Sequence, residues 1–171
     1  MPQQIEVTRI DPKLVKRAAR LFKQFEKSKL TLATAESCTG GLIAAILSDA
    51  PGAGDLFHGG FVLYTKAHKI AFGIPKKLID KHGIVSERIA RALAETALRH
   101  CPAEIAVGVT GVAGPEPDKE GNPVGLVCVA AARRGQETLA LTRCFKSQDR
   151  GEIRCHATEL ALKLADKIAR D

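Results

Sequence analysis

Apolar residues recur at helical spacing early in the chain. Leu14, Ala18, Leu21, Phe22 and Phe25 share one face and Lys13, Arg17, Arg20, Lys23 and Lys27 the other, which predicts an amphipathic helix over residues 12–28. The period then shortens. Residues 30–34 read as a strand, followed by a polar, glycine-bearing turn, Glu36 to Gly41, and a helix from Gly40 to Ser48 that ends at Asp49-Ala50-Pro51-Gly52. Residues 60–64 read as a second strand, 66–72 as a short helix stopped by Gly73, and Pro75 opens another that reaches Lys81. Ser86 caps a helix over 87–100 with Ile89, Leu93 and Ala97 in one stripe. The run 104–109, without a polar side chain after Glu104, predicts a strand buried on both faces.

A long loop, 111–123, rich in Gly, Pro and charge, leads to strands at 125–132 and 137–145. Their short connection, Arg133 to Gln136, favours an antiparallel hairpin. Asp149-Arg150-Gly151-Glu152 has capping-box spacing and starts a last helix whose buried face is Ile153, Ala157, Leu160, Ala161, Leu164 and Ile168. No repeat or linker divides the chain. The expected fold is α/β: a three-layer α/β/α single domain over residues 1–171 with a mixed, mostly parallel five-stranded sheet.

Composition narrows the chemistry. The 171 residues are 45% hydrophobic and 26% charged with only 4% aromatic, so small aliphatic side chains must fill the core of a globular protein. Five cysteines with no Cys-x-x-Cys pair read as reduced thiols in a cytoplasmic protein. No apolar run has the length of a signal peptide or a membrane span. The net charge of +7 attracts anions, but the cations of the first helix lie opposite its apolar stripe and lack interleaved aromatics. That pattern fits a solvated face better than a nucleic-acid surface.

In open α/β sheets the binding crevice lies at the carboxyl ends of parallel strands, which here selects the loops 36–41 and 110–123. Gly40 and Gly41 precede a helix, where backbone N–H groups suit a phosphate or an oxyanion. The Walker spacing is absent. Ser37 is either a helix cap or a nucleophile. Lys69, five residues after Tyr64, is either a solvated lysine or a base with a lowered pKa, and Tyr64 would then relay or orient the proton. Cys38 is either a small core residue or a rival nucleophile. The histidines have no metal-ligand spacing, and neither metal nor cofactor is implied.

Together, Ala35-Glu36-Ser37-Cys38-Thr39-Gly40-Gly41, Gly59-Gly60-Phe61-Val62-Leu63-Tyr64 with Lys69, His82-Gly83-Ile84-Val85-Ser86, Thr110-Gly111-Val112-Ala113-Gly114-Pro115, and Asp149-Arg150 with Arg154 resemble the C-terminal domain of the CinA competence/damage-inducible proteins and their stand-alone nicotinamide mononucleotide deamidase relatives. The resemblance spans essentially the whole chain. It implies hydrolysis of the carboxamide of nicotinamide mononucleotide to nicotinate mononucleotide and ammonia, with Ser37 as nucleophile assisted by Tyr64 and Lys69. By position, Glu36, Thr39, Gly40 and Gly41 become one part of the substrate and oxyanion cradle and Thr110, Gly111, Ala113 and Gly114 a second wall. Arg150, and after it Arg154, becomes the candidate phosphate ligand, the alternative being a structural pair. A homo-oligomer acting on a small pyridine mononucleotide is implied; the alternative is a nucleotide- or DNA-binding protein without deamidase activity. The chain departs from the family pattern at Thr65-Lys66-Ala67-His68, which makes Lys66 a rival base, at Glu116-Pro117-Asp118-Lys119-Glu120, and at Gln148.

Overall fold

Helix α1 (Pro12–Ser28) begins where the sequence puts a cap and a proline together: the Asp11 carboxylate accepts the Lys13 N–H at 2.8 Å and Pro12 occupies the first turn. It ends at Lys29, whose left-handed backbone returns its N–H to the carbonyls of Phe25 and Glu26. The computed structural model describes residues 10–147 and 149–170. The chain continues through β1 (Leu32–Glu36), α2 (Leu42–Ser48), α3 (Ala53–Leu56), β2 (Phe57–Val62), α4 (Lys66–Phe72), α5 (Lys76–His82), α6 (Glu87–His100), β3 (Ile105–Gly111), β4 (Leu126–Arg133), β5 (Leu139–Cys144) and α7 (Arg150–Arg170).

The strands form one mixed sheet in the order β2-β1-β3-β4-β5. The pairs β1–β2 and β1–β3 are parallel, and β3–β4 and β4–β5 antiparallel. Four strands therefore point one way and only β4 opposes them. The chain leaves β1 for β2 on one side and returns to β3 on the other, so the carboxyl ends of β1 and β3 flank the switch point where α/β sheets bind ligands.

Side-chain alternation along the strands separates two unequal cores. On one face, Leu32, Ile105, Val107, Val109, Val127 and Val129 meet α1, α2 and α7. On the other, Ala33, Ala35, Ala106, Ala130 and Ala132 meet α6. This second face has almost no side-chain height, so α6 settles directly on the strand backbone, which is how a chain so poor in aromatics still closes its core. Among the described residues no helix is long and apolar enough to cross a membrane.

Several boundaries differ from the sequence reading. Strand β1 runs two residues further than residues 30–34, because Glu36 is fully buried at its end. Helix α2 starts at Leu42 and not at Gly40, since Gly40 and Gly41 both have positive φ, +60° and +94°. Strand β2 begins at Phe57 and stops at Val62; its Gly59-Gly60 pair hides the start from any propensity argument. The short α3 falls just past the Pro51-Gly52 break, where the sequence predicts no element. At α7, Asp149 accepts the Glu152 N–H at 2.8 Å as expected, but Glu152 accepts the Ser147 hydroxyl at 2.6 Å in place of closing the box.

Candidate active site

Ser37 is the first residue beyond β1, and Leu63 and Tyr64 are the first beyond β2, so parallel pairing puts them side by side. The Ser37 N–H donates to Val109 O at 3.0 Å and the Leu63 N–H to Glu36 O at 2.7 Å, which locks the three strand ends together. Thr65 then caps α4 by accepting the His68 N–H at 3.1 Å. One turn on, Lys69 is the only buried residue of that helix.

A fully buried lysine needs partners. Lys69 Nζ donates to Ser37 Oγ at 2.8 Å, to Leu63 O at 2.8 Å and to Tyr64 O at 3.4 Å. No carboxylate is among these three acceptors, and burial lowers the Lys69 pKa from 10.5 to about 8. Once the amine loses its proton the 2.8 Å contact reverses, and the Ser37 hydroxyl donates to Nζ. The arrangement is that of a serine nucleophile against a lysine base.

The two rivals for these roles have other partners. Lys66 forms an ion pair with Asp80 at 2.7 Å. Cys38 is 5% exposed, and burial pushes its thiol up to about 12, so it is a neutral core residue at physiological pH. All five cysteines are free. The Tyr64 hydroxyl accepts from Arg150 Nη2 at 2.8 Å and does not bond to Ser37 or Lys69; Tyr64 meets Lys69 through its backbone carbonyl. Its side chain is 55% exposed at the mouth of the site.

A cavity of about 700 Å³ opens over Ser37, within the range of roughly 300–1,000 Å³ usual for small-molecule sites. Cys38, Tyr64, Thr65 and Lys66 line it on one side; Thr110, Gly111, Val112, Ala113 and Gly114 form the other wall, and Arg150 reaches in from α7. Arg150 donates from Nη1 to Gly114 O and from Nη2 to Tyr64. Both are neutral oxygens, so its charge has no carboxylate hydrogen-bond partner among the described residues.

Ile84 and Val85, and the loop residues Glu116, Asp118, Lys119 and Glu120, also line the cavity. The loop residues fall within the 110–123 segment that the sequence selects; Ile84 and Val85 are not assigned to the site by the sequence. They arrive there because the Ile84 backbone is held from two sides, its carbonyl by Thr110 Oγ1 at 2.9 Å and its N–H by Glu120 at 3.0 Å. The matched segment around Gly83-Ile84 is the one signal that points to them. Among the described residues no three His, Cys, Asp or Glu side chains converge as metal ligands.

Glu36, Thr39, Gly40 and Gly41, which the resemblance places in a substrate and oxyanion cradle, do not line the cavity. The Glu36 carboxylate turns back onto α2. Oε2 accepts from Thr39 Oγ1 at 2.7 Å, Gly41 N–H at 3.0 Å and Ile43 N–H at 3.1 Å; Oε1 accepts from Ala44 N–H at 2.8 Å and Thr34 Oγ1 at 3.2 Å. The Gly40 N–H is taken by Ser37 O. The helix N-terminus that looked open to an anion is thus filled by the protein's own carboxylate. Along residues 37–44, only the Cys38 and Thr39 N–H groups donate to no carbonyl or side-chain oxygen among the described residues. Arg154 is likewise outside the cavity, donating to Thr39 O from Nε at 3.1 Å and Nη2 at 2.6 Å.

Fold and site together define a class: an α/β/α domain that holds a serine at the carboxyl end of its central parallel strand against a buried lysine from the neighbouring crossover. Residues 14–169 match the CinA C-terminal domain, and the chain belongs to that family. A CinA-like protein of Mycobacterium sp. (strain MCS) is 40% identical over 142 residues, covering 82% of this chain and 34% of its own length. The chain spans about a third, or less, of the curated relatives it matches. Among solved structures, a competence/damage-inducible protein from Agrobacterium tumefaciens superposes with a TM-score of 0.88 at 33% identity, covering 96% of this chain and 100% of its own. A CinA superfamily protein from Escherichia coli gives 0.85 at 26% identity, with 97% and 96% covered.

Proposed function

We propose that the chain is an amidohydrolase that converts nicotinamide mononucleotide and water to nicotinate mononucleotide and ammonia, with Ser37 as nucleophile and Lys69 as base. The observation that carries this reading is the 2.8 Å contact between Ser37 Oγ and a fully buried Lys69 whose pKa is lowered to about 8. At pH 7 about a tenth of such an amine is neutral.

Neutral Lys69 takes the Ser37 proton as Oγ bonds to the amide carbon. The oxyanion is received by the Cys38 N–H group, the unengaged donor that follows the nucleophile in the cavity lining. Lys69 passes its proton to the departing nitrogen, the C–N bond breaks and ammonia leaves. Water then attacks the Ser37 ester, Lys69 takes its proton, and the ester C–O bond breaks to release the acid and restore the serine hydroxyl. Arg150, with no carboxylate partner, holds the substrate phosphate, and the Tyr64 ring flanks the pyridinium. The five free cysteines support a cytoplasmic location; the homo-oligomer rests on the resemblance.

Ammonia release from nicotinamide mononucleotide, nicotinamide and the dinucleotide, measured across pH, tests the reading. The mononucleotide is the expected best substrate. Because the base must be neutral, kcat should climb as pH rises through about 8 and then level off. Release from none of the three, or a rate that falls between pH 7 and 9, would contradict it.

A further inference from the structure

We propose that Glu36 is a positioning residue for Ser37, with Arg154 as its outer brace. The inference rests on the reading of Ser37 as the nucleophile. Glu36 touches neither the cavity nor Lys69, yet it is fully buried and immediately precedes the serine. Its two oxygens accept five hydrogen bonds, three of them from the backbone of Gly41, Ile43 and Ala44. The segment between, Ser37 to Gly41, carries two left-handed glycines and has no intrinsic stiffness.

Two ties set its shape. From inside, Glu36 fastens the start of α2 and the Thr39 hydroxyl. From outside, Arg154 on α7 fastens the Thr39 carbonyl with two N–H groups. Ser37 is anchored to β3 through its N–H on Val109 O at the point where this short loop leaves β1, and the two ties hold the loop beyond it, so the 2.8 Å contact with Lys69 is set by the strand end together with both ties.

The carboxylate has a second effect. An empty helix N-terminus beside the nucleophile would attract the developing oxyanion or a competing anion. Glu36 fills that position permanently and leaves Cys38 and Thr39 as the only donors in the loop. Glutamine is nearly the same size but replaces an acceptor oxygen with an NH₂ group, which cannot accept from the α2 backbone. A displacement of about 1 Å at the reacting atoms is worth on the order of 100-fold in rate.

The test uses the full chain and two readouts: ammonia release from nicotinamide mononucleotide, and the rate at which a small fluorophosphonate labels Ser37, mapped by peptide mass. Folded Glu36→Gln, checked by circular dichroism, should lose on the order of 100-fold in both kcat and labelling rate, with KM changed less than threefold because Glu36 does not line the cavity. A merely stabilising residue would leave kcat and labelling of the folded variant unchanged, and that result overturns the proposal.

Should Glu36→Gln fail to fold, the Arg154 pair decides. Arg154→Ala should slow labelling several-fold and Arg154→Lys, which keeps one donor for Thr39 O, should recover part of the loss; wild-type rates in both overturn the proposal. Wild-type protein that labels at Ser37 but releases no ammonia would refute the substrate assignment alone. The labelling comparison would still decide the role of Glu36.

Discussion

Lys69→Met is expected to lower kcat/KM for nicotinamide mononucleotide by about 1,000-fold, the usual loss for a general base that also returns the proton to the leaving group. Methionine keeps the aliphatic stem and most of the volume, so the packing of the α4 side chain beneath Ser37 survives while the proton acceptor does not. Ser37→Ala should lose at least as much. The double variant should be little worse than either single one, because a nucleophile and its base act as one unit and their losses do not add. If the two losses multiplied, or if Lys66→Met cost as much as Lys69→Met, the pairing of Ser37 with Lys69 would be wrong. Lys66, held at the cavity edge by Asp80, is expected to alter KM alone.

A large effect on stability is expected from Gly108→Ala in the middle of β3. A Cβ there would lie 2.2 Å from Ala90 O and 2.7 Å from Ala94 N, both backbone atoms of α6. Backbone cannot rotate away as a side chain can, so α6 must lift off the alanine face of the sheet. Overpacking of this kind costs about 3 kcal/mol at the upper end of the usual range, about two tenfold steps in the folding equilibrium, and the urea midpoint should fall accordingly. An unchanged midpoint would show that α6 does not rest on the strand backbone.

Gly108 also shows where sequence reading ends. The run 104–109 predicts a strand buried on both faces, and it is, but nothing in the pattern says that one covering helix lies closer than the other. The helices with local punctuation were legible to the residue. Asp11-Pro12 and Lys29 bound α1, Thr65 and Gly73 bound α4, and Ser86 starts α6; each boundary is set by a neighbour in sequence. Strand ends were not. Glu36 looks like the first loop residue because a charged side chain ought to leave the sheet, and only its distant partners, the N–H groups of Gly41, Ile43 and Ala44, make its burial tolerable.

The site divides along the same line. Ser37, Tyr64 and Lys69, and the wall from Thr110 to Gly114, were named together through the motifs shared with the family, and the structure puts Ser37 and Lys69 in contact. Which atoms meet was not legible. The Tyr64 side chain faces Arg150 and its carbonyl faces Lys69. Lys66 and Lys69, three residues apart on one short helix, part company because Asp80 draws the first outward while the second turns in beneath Ser37. The glycines of the 36–41 loop suggested an open cradle for substrate; the structure fills that cradle with Glu36.

The central claim, that Ser37 attacks the amide of a pyridine mononucleotide after giving its proton to Lys69, predicts a covalent intermediate. Acid quenching during turnover of nicotinamide mononucleotide, followed by peptide mass mapping, should find the acyl group of nicotinate mononucleotide esterified to Ser37, absent in Ser37→Ala. Steady ammonia release with the acyl group on Cys38, or undiminished release from Ser37→Ala, would contradict the account.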